Sequence, residues 1–342
     1  MRKKIWSWLL ALIGVVIIIL AWLSVYEYTH TLLDYESYVG KNINAPRSQY
    51  TVWNRSDHLG YLEIFDFQWQ KIRYIDRGDR NGTPLLLVHG TPTNSRLRRK
   101  MIPGLIDAGY RVIAPDQYGF GASDKSTDHE QLTIQRQSER LVALMEYLDL
   151  EKFAIAGHDQ WSLRVWDIIT KYPNKISHLI VMNSIAVRDW FHPPAWFGTE
   201  NISTQFSSRA MWSRPLARIF AYGAMAGWLK DIKLANTTMI NGYLFPLLNN
   251  MNNTYYDFIT HFDEIETKIS AYLELFPDLE IPTLIIWWAH DKILVWSEQI
   301  PVLAELLNVE DENIHLLDTA AHFIQEETPD EIVNLIDWFL NK

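Results

Sequence analysis

The chain contains no cysteine. Disulfides, thiol nucleophiles and Cys-ligated metal sites are thereby excluded, while the redox compartment stays open. Basic charge is also in deficit. The net charge is −10 and no basic patch with interleaved aromatics occurs, so no nucleic acid is expected as a partner. No Gly-x-Ser-x-Gly sequence exists, which argues against a serine esterase. Internal repeats and low-complexity tracts are absent as well. What the chain has in quantity is tryptophan, 15 in 342 residues. Clustered indoles can wall an apolar pocket, although most Trp side chains in any protein fill core or groove.

One long hydrophobic run stands at the N-terminus. Arg2, Lys3 and Lys4 precede an apolar stretch from Ile5 to Val25, interrupted by Ser7, Gly14 and Ser24. About 20 apolar residues span a bilayer as a helix. A signal peptide would have a shorter apolar core and a small-x-small cleavage site, for which Ala21-Trp22-Leu23 is poor. Residues 1–30 are therefore expected to form an uncleaved transmembrane anchor, with Trp6, Trp8, Trp22, Tyr26 and Tyr28 at its ends. The basic cluster before the run, and Glu27, Asp34 and Glu36 after it, predict a single-pass membrane protein. Its catalytic domain would lie on the non-cytoplasmic side.

From about Leu59 short apolar runs alternate with helical stretches. Strand-like runs are Lys71–Asp76, Pro84–Val88, Arg111–Pro115, Lys152–Ala156, His178–Asn183, Thr283–Trp287 and Asn313–Leu317. Several are continuously apolar, as strands buried on both faces of a parallel sheet are. In Thr133–Asp149, Ile134, Leu141, Leu144, Met145 and Leu148 recur at helical spacing. The alternation predicts a doubly wound α/β domain. It stops between about Ala186 and Leu279 and resumes at Ile281, so one α/β domain with an inserted cap is expected. The division is 1–30 anchor, 31–185 first part of the core, 186–280 helical cap and 281–342 second part of the core.

Three stretches could carry chemistry. In Phe153-Ala-Ile-Ala-Gly157-His158-Asp159-Gln160-Trp161-Ser162 a strand runs into a helix through a sharp turn that would lift out Asp159. Gly157 suits such an elbow; Trp161, where a small residue is usual, departs from it. The plainer alternative is an Asp capping the helix that begins near Trp161. In Leu85-Leu-Leu-Val-His89-Gly90-Thr91-Pro92, Gly90 permits close approach and the Thr91 N–H could serve as an oxyanion donor, as could that of Gln160. The alternative is an ordinary strand-to-loop turn. Downstream, Asp291 ends an apolar strand and His322 follows about 30 residues later. Either alone reads as a surface loop residue. The order nucleophile, acid, histidine is that of α/β-hydrolases.

The stretch His89-Gly-Thr-Pro-Thr, then Arg99-Lys-Met-Ile-Pro103, then Arg111-Val-Ile-Ala-Pro-Asp116-Gln-Tyr-Gly119-Phe-Gly121-Ala-Ser123-Asp-Lys125 resembles haloalkane dehalogenases. So do Gly157-His-Asp159 and Ala321-His322-Phe-Ile-Gln-Glu326. The resemblance covers about Leu59–Ala186 and Ile281–Lys342. It implies the α/β-hydrolase fold and the branch with an aspartate nucleophile, shared with epoxide hydrolases. By it, Asp159 is the nucleophile, His322 the base and Asp291 its partner, with Thr91 and Gln160 supplying oxyanion-hole amides. Asp116, Gly119 and Gly121 belong to a family loop of structural character. Many dehalogenases carry Asn or Glu where this chain has Thr91, and commonly a halide-holding Trp where it has Gln160. Trp161 falls one residue too late to replace it.

An aspartate nucleophile displaces halide from, or opens an epoxide at, an sp³ carbon and leaves an alkyl ester. The expected partners are a small apolar substrate and water; no cofactor or metal is implied. Trp190, Trp196, Trp212, Tyr222, Trp228 and Tyr243 could line the pocket, and epoxide hydrolases use cap tyrosines as acids. Three functions remain open at this point: a dehalogenase-like hydrolase, an epoxide hydrolase, and a catalytically silent binding protein on the same fold.

Overall fold

The computed structural model describes residues 8, 11–23, 62–159, 162–186, 217, 219, 222–223, 227–235, 239, 242–243 and 251–342. Strands β1 (Glu63–Phe67), β2 (Gln70–Arg77), β3 (Pro84–Leu87), β4 (Arg111–Asp116), β5 (Phe153–Asp159), β6 (Ile176–Ser184), β7 (Thr283–Trp288) and β8 (Ile314–Leu317) form one sheet. Their order is β1-β2-β4-β3-β5-β6-β7-β8. The β1–β2 and β2–β4 pairings are antiparallel; every other pairing is parallel.

The continuous apolar runs are strands covered on both faces. Leu85 and Leu87 of β3, with Ala154 and Ala156 of β5, belong to one core layer. Leu86 and Val88, with Phe153 and Ile155, belong to the other. This is the period-two alternation of a strand whose two sides are both dry. Helices α1 (Ile102–Asp107) and α8 (Pro329–Leu340) pack on the first layer through Ile102, Leu105, Ile332 and Ile336. Helices α2 (Ile134–Tyr147) and α3 (Ser162–Lys171) pack on the second through Leu141, Leu144, Leu163 and Trp166. Thr133 caps α2, its side chain accepting from the Arg136 N–H.

Strand β1 has no counterpart among the strands expected from the sequence. Only Phe65 of its five residues is buried, so its apolar signal is weak. It is held by a tight hairpin, with Gln68 and Trp69 both at positive φ, as a two-residue turn between twisted strands requires.

Residues 186–280 enter the chain between β6 and β7, which are neighbours in the sheet. The described part of this insertion includes helices α4 (Asn252–Thr260) and α5 (Phe262–Leu273) and no strand. Two further helices, α6 (Trp296–Leu306) and the short α7 (Ile324–Glu327), complete the second half of the core.

The expectation for the N-terminus is corrected. Residues 11–23 are helical. Among the described residues no helix is long and apolar enough to cross a membrane. This overturns the transmembrane anchor at residues 1–30, the membrane as a partner, and the single-pass location with the catalytic domain on the non-cytoplasmic side. A run of apolar letters measures hydropathy; a span needs that run as one continuous helix of bilayer length.

Candidate active site

The site gathers at the carboxyl ends of the parallel strands. Asp159 is the last residue of β5, at φ 64, and the register to β6 slips between His158 and Asp159. A non-glycine residue in the left-handed region is uncommon and is tolerated where the surroundings over-determine it. Here the Ser162 hydroxyl donates to the Asp159 carbonyl at 2.5 Å. A Cβ placed on Gly157 would stand 3.0 Å from Val165 and 3.3 Å from the Ser162 Cβ. The close strand–helix approach therefore rests on Gly157 and Ser162. Gln160 and Trp161 lie outside the described residues.

Both oxygens of the Asp159 carboxylate face neighbours brought from elsewhere in the chain. Oδ2 accepts from the Thr91 N–H at 2.9 Å. Oδ1 lies 3.3 Å from His322 Nε2. Gly90 is needed for this approach, because a Cβ there would come within 2.7 Å of the Asp159 Cβ and 2.9 Å of Oδ2. The other ring nitrogen of His322, Nδ1, is 2.8 Å from Asp291 Oδ2. Asp159, His322 and Asp291 are all buried, at 4, 2 and 4 % exposure. The structure thus brings together four of the five sequence-expected site residues, Thr91, Asp159, Asp291 and His322; the fifth, Gln160, is the one outside the described set.

Asp291 is fixed from three sides. The Ile293 and Leu294 N–H groups donate to Oδ1 at 2.9 and 3.1 Å, and Asn183 Nδ2 donates to Oδ2 at 2.6 Å. Burial pushes the Asp291 carboxyl up, but the His322 charge and these hydrogen bonds outweigh it and hold it below the ordinary value. Burial likewise works to lower the His322 imidazole. The Asp291 charge and the hydrogen bonds and charge of Asp159 outweigh it and hold the pKa up at about 10. His322 thus lies between two carboxyl groups that both favour its charged form.

Further residues position this group, among them Asn183 and His158, for which no role was read from the sequence, and Trp228 and Tyr243, which it offered as pocket aromatics. Asn183 sits at the end of β6, at φ 37, between Asp291 and the Trp288 N–H. His158, kept neutral by burial, donates from Nε2 to the His322 carbonyl at 2.9 Å. Trp228, from the insertion, accepts the His322 N–H on its carbonyl at 3.0 Å and sets its indole edge-on to the imidazole, 5.8 Å between centroids. Beyond His322, Glu326 pairs with Arg99 and Lys100 and accepts from the Tyr243 hydroxyl at 2.8 Å. Tyr243 is therefore committed to Glu326. Tyr222 is half exposed, while Trp190, Trp196 and Trp212 lie outside the described residues. Only a polar residue ending a buried strand could have flagged Asn183; Trp228 was one of several candidate pocket aromatics, and its contact with His322 had no local signal.

Asp116 is a loop organiser. Its Oδ1 accepts from the Ser95 N–H and hydroxyl at 2.8 and 2.6 Å, and Oδ2 from the Ala122 N–H at 2.7 Å. Gly121, at φ 48, leaves room for it: a Cβ there would stand 2.1 Å from the carboxylate.

A mostly parallel sheet with antiparallel strands at one edge, an elbow after β5 and an Asp–His pair on the following strand ends define an α/β-hydrolase. The chain belongs to the α/β hydrolase fold family, whose model matches residues 83–329. It is 29% identical to a haloalkane dehalogenase of Mycolicibacterium paratuberculosis, over 81% of this chain and 91% of that one. It is 24% identical to epoxide hydrolase 3 of Xenopus tropicalis, over 83% of this chain and 78% of that one. The haloalkane dehalogenase structure from Paraglaciecola agarilytica NO2 superposes with a TM-score of 0.61 at 22% identity, covering 82% of this chain and 92% of that one; at that identity it speaks for the fold. The chain is an enzyme, an α/β-hydrolase of the haloalkane dehalogenase-like or epoxide hydrolase-like kind.

Proposed function

We propose that the protein hydrolyses small apolar substrates through a covalent alkyl ester on Asp159, in the manner of a haloalkane dehalogenase. The observation that carries this is the pair of contacts made by the Asp159 carboxylate: one oxygen on the Thr91 N–H, the other beside His322 Nε2. The oxygens then have different tasks. Oδ1 attacks the sp³ carbon, and the carbon–halogen bond breaks with its electron pair leaving on the halide. Oδ2, already on an N–H, becomes the ester carbonyl oxygen and later the oxyanion. The Gln160 N–H is proposed as its second donor.

Alkylation also prepares the second step. It neutralises Asp159 and so removes one of the charges that keep His322 protonated. The freed imidazole takes a proton from water, whose oxygen attacks the ester carbonyl carbon. Asp291 keeps the ring oriented and stabilises the imidazolium that re-forms. Collapse expels the alcohol oxygen, which takes that proton, and restores the Asp159 carboxyl. The proton His322 gives up to solvent after alkylation is the one released with each halide, and the carboxyl proton returns to His322 to restore the starting pair. The insertion at residues 186–280 is proposed to be the cap that closes the apolar pocket over Asp159, with Trp228 at its contact with His322.

Epoxide hydrolysis is the second reading, and Tyr255 favours it. This buried phenol of α4 lies near enough to Asp159 for the carboxylate, after burial itself, to push its pKa well up. A phenol so held is protonated at neutral pH and could donate to an opening epoxide oxygen.

The deciding experiment is intact mass of His322→Gln after incubation with haloalkane and epoxide panels, alongside turnover of Asp159→Asn. An alkyl adduct on Asp159 in the first variant, and lost turnover without lost folding in the second, are expected. Unchanged turnover in Asp159→Asn, with deamidation excluded by mass, would refute the nucleophile.

A further inference from the structure

A second cluster of ligating side chains lies apart from the Asp159–His322–Asp291 group, where the insertion meets the sheet domain. His129 belongs to the short 3-10 turn His129–Gln131 that leads into α2. Asp257 lies within α4, and His261 is the residue that ends it. Four residues apart on one helix, these two project from the same face. His129 arrives from 128 positions away in sequence. The proposed mechanism uses none of the three.

Their geometry is close and mutual. One ligating atom from each residue lies within 4.8 Å of those of the other two, and among the described residues no other His, Asp or Glu group meets that condition. His129 Nδ1 is 3.0 and 3.1 Å from the two Asp257 carboxylate oxygens. His261 Nδ1 is 3.3 Å from Asp257 Oδ1. The imidazoles lie face to face, with centroids 3.6 Å apart and planes 20° from parallel. Solvent reaches all three side chains, at 28, 14 and 38 % exposure for His129, Asp257 and His261. They line a part-open cleft that Arg164, Thr254 and Lys268 also line.

We propose that His129, Asp257 and His261 bind one divalent transition-metal ion of the zinc type, and that the ion ties the insertion to the sheet domain. Two imidazoles and one carboxylate suit zinc, cobalt, nickel or copper. Calcium and magnesium demand more oxygen ligands than this cleft offers. His261 Nδ1 lies 3.0 Å from the Asp257 carbonyl, so binding requires it to leave that contact and both rings to carry their proton on Nε2. The stacked rings must each turn about χ2 for both nitrogens to face one ion at about 2.0–2.1 Å, as such bonds require. Water takes the fourth position. The helix carrying Asp257 and His261 also carries Thr254, whose hydroxyl donates to the Gly119 carbonyl at 3.0 Å, and Tyr255. An ion here therefore restrains the helix that adjoins the active site.

The test uses the full chain, stripped with chelator and titrated with Zn²⁺ alone by calorimetry. Saturable one-to-one binding is expected, with a melting temperature that rises with Zn²⁺ concentration. Co²⁺ in its place should give visible d–d absorption. His129→Gln, His261→Gln and Asp257→Asn should each weaken binding at least about tenfold and abolish the Co²⁺ band, since each removes one of three ligands. Asp159→Asn should bind as the wild type does. No saturable binding up to about 1 mM Zn²⁺, the weak end of specific affinity, would overturn the proposal. So would wild-type binding in both histidine variants, whose part-exposed positions make them safe to fold even if Asp257→Asn is not.

Discussion

Glu326→Gln tests how the histidine loop is held. Glu326 lies four residues beyond His322, is 2 % exposed, and has Arg99, Lys100 and Tyr243 as partners. Gln keeps the volume and can keep the Tyr243 contact, but it leaves Arg99 buried without an opposite charge. Breaking a buried pair on one side costs about 3–5 kcal/mol. Protonation linkage gives a similar size. Burial would raise the Glu326 carboxyl, yet Arg99 and the other partners hold it at about 2, against an ordinary 4.5. That difference corresponds to about 3 kcal/mol. Because the folded pKa is the lower one, this stability is present above pH 4.5 and is lost as pH falls towards 2. The gap between wild type and Glu326→Gln should therefore be about 3–5 kcal/mol at pH 7 and narrow by about 2 kcal/mol between pH 5 and 3. Urea denaturation at each pH measures it. A gap below about 1 kcal/mol at pH 7, or one that does not change with pH, would refute the reasoning.

Four further outcomes follow from the geometry. Gly90→Ala should cost about 1–3 kcal/mol by overpacking and lower kcat at least about tenfold by displacing the Asp159 carboxylate; a fully active variant would contradict the 2.7 Å approach. Asn183→Ala removes a donor from buried Asp291 and should cost about 1–3 kcal/mol in denaturation, with a lower kcat and no change in KM. His322→Gln should be less stable than wild type at pH 7, and that gap should close as pH rises towards 10: the folded pKa is raised from 6.5 to about 10, so the charged ring's contribution is whole below 6.5 and lost through 10. Tyr255→Phe should lower epoxide turnover and spare halide turnover if the phenol is the acid; equal effects on both would remove the second reading.

The α/β core, and the residues proposed for the site, were legible along the chain. Continuous apolar runs such as Leu85–Val88 and Phe153–Ala156 have one low-energy outcome, a strand covered on both faces, because any other arrangement leaves a face wet. Gly157-His158-Asp159, Gly90-Thr91 and Asp291 were legible because each follows such a strand, and His322 because its place after Asp291 completes the chain order. Parallel topology then brings those turns to one end of the sheet, and Asp159, Thr91, His322 and Asp291 meet there. Contacts without a local pattern emerged with the folded chain. Asn183 reaches Asp291 across 108 positions, Trp228 reaches His322 from the insertion, and His129 meets Asp257 across 128. Tyr243, one aromatic among many in the sequence, is spoken for by Glu326. The N-terminal run shows the same limit from the other side. Hydropathy is a sum over residues and can be read along a chain, whereas a membrane span or a positioned side chain depends on lengths and directions that exist only once the backbone is folded.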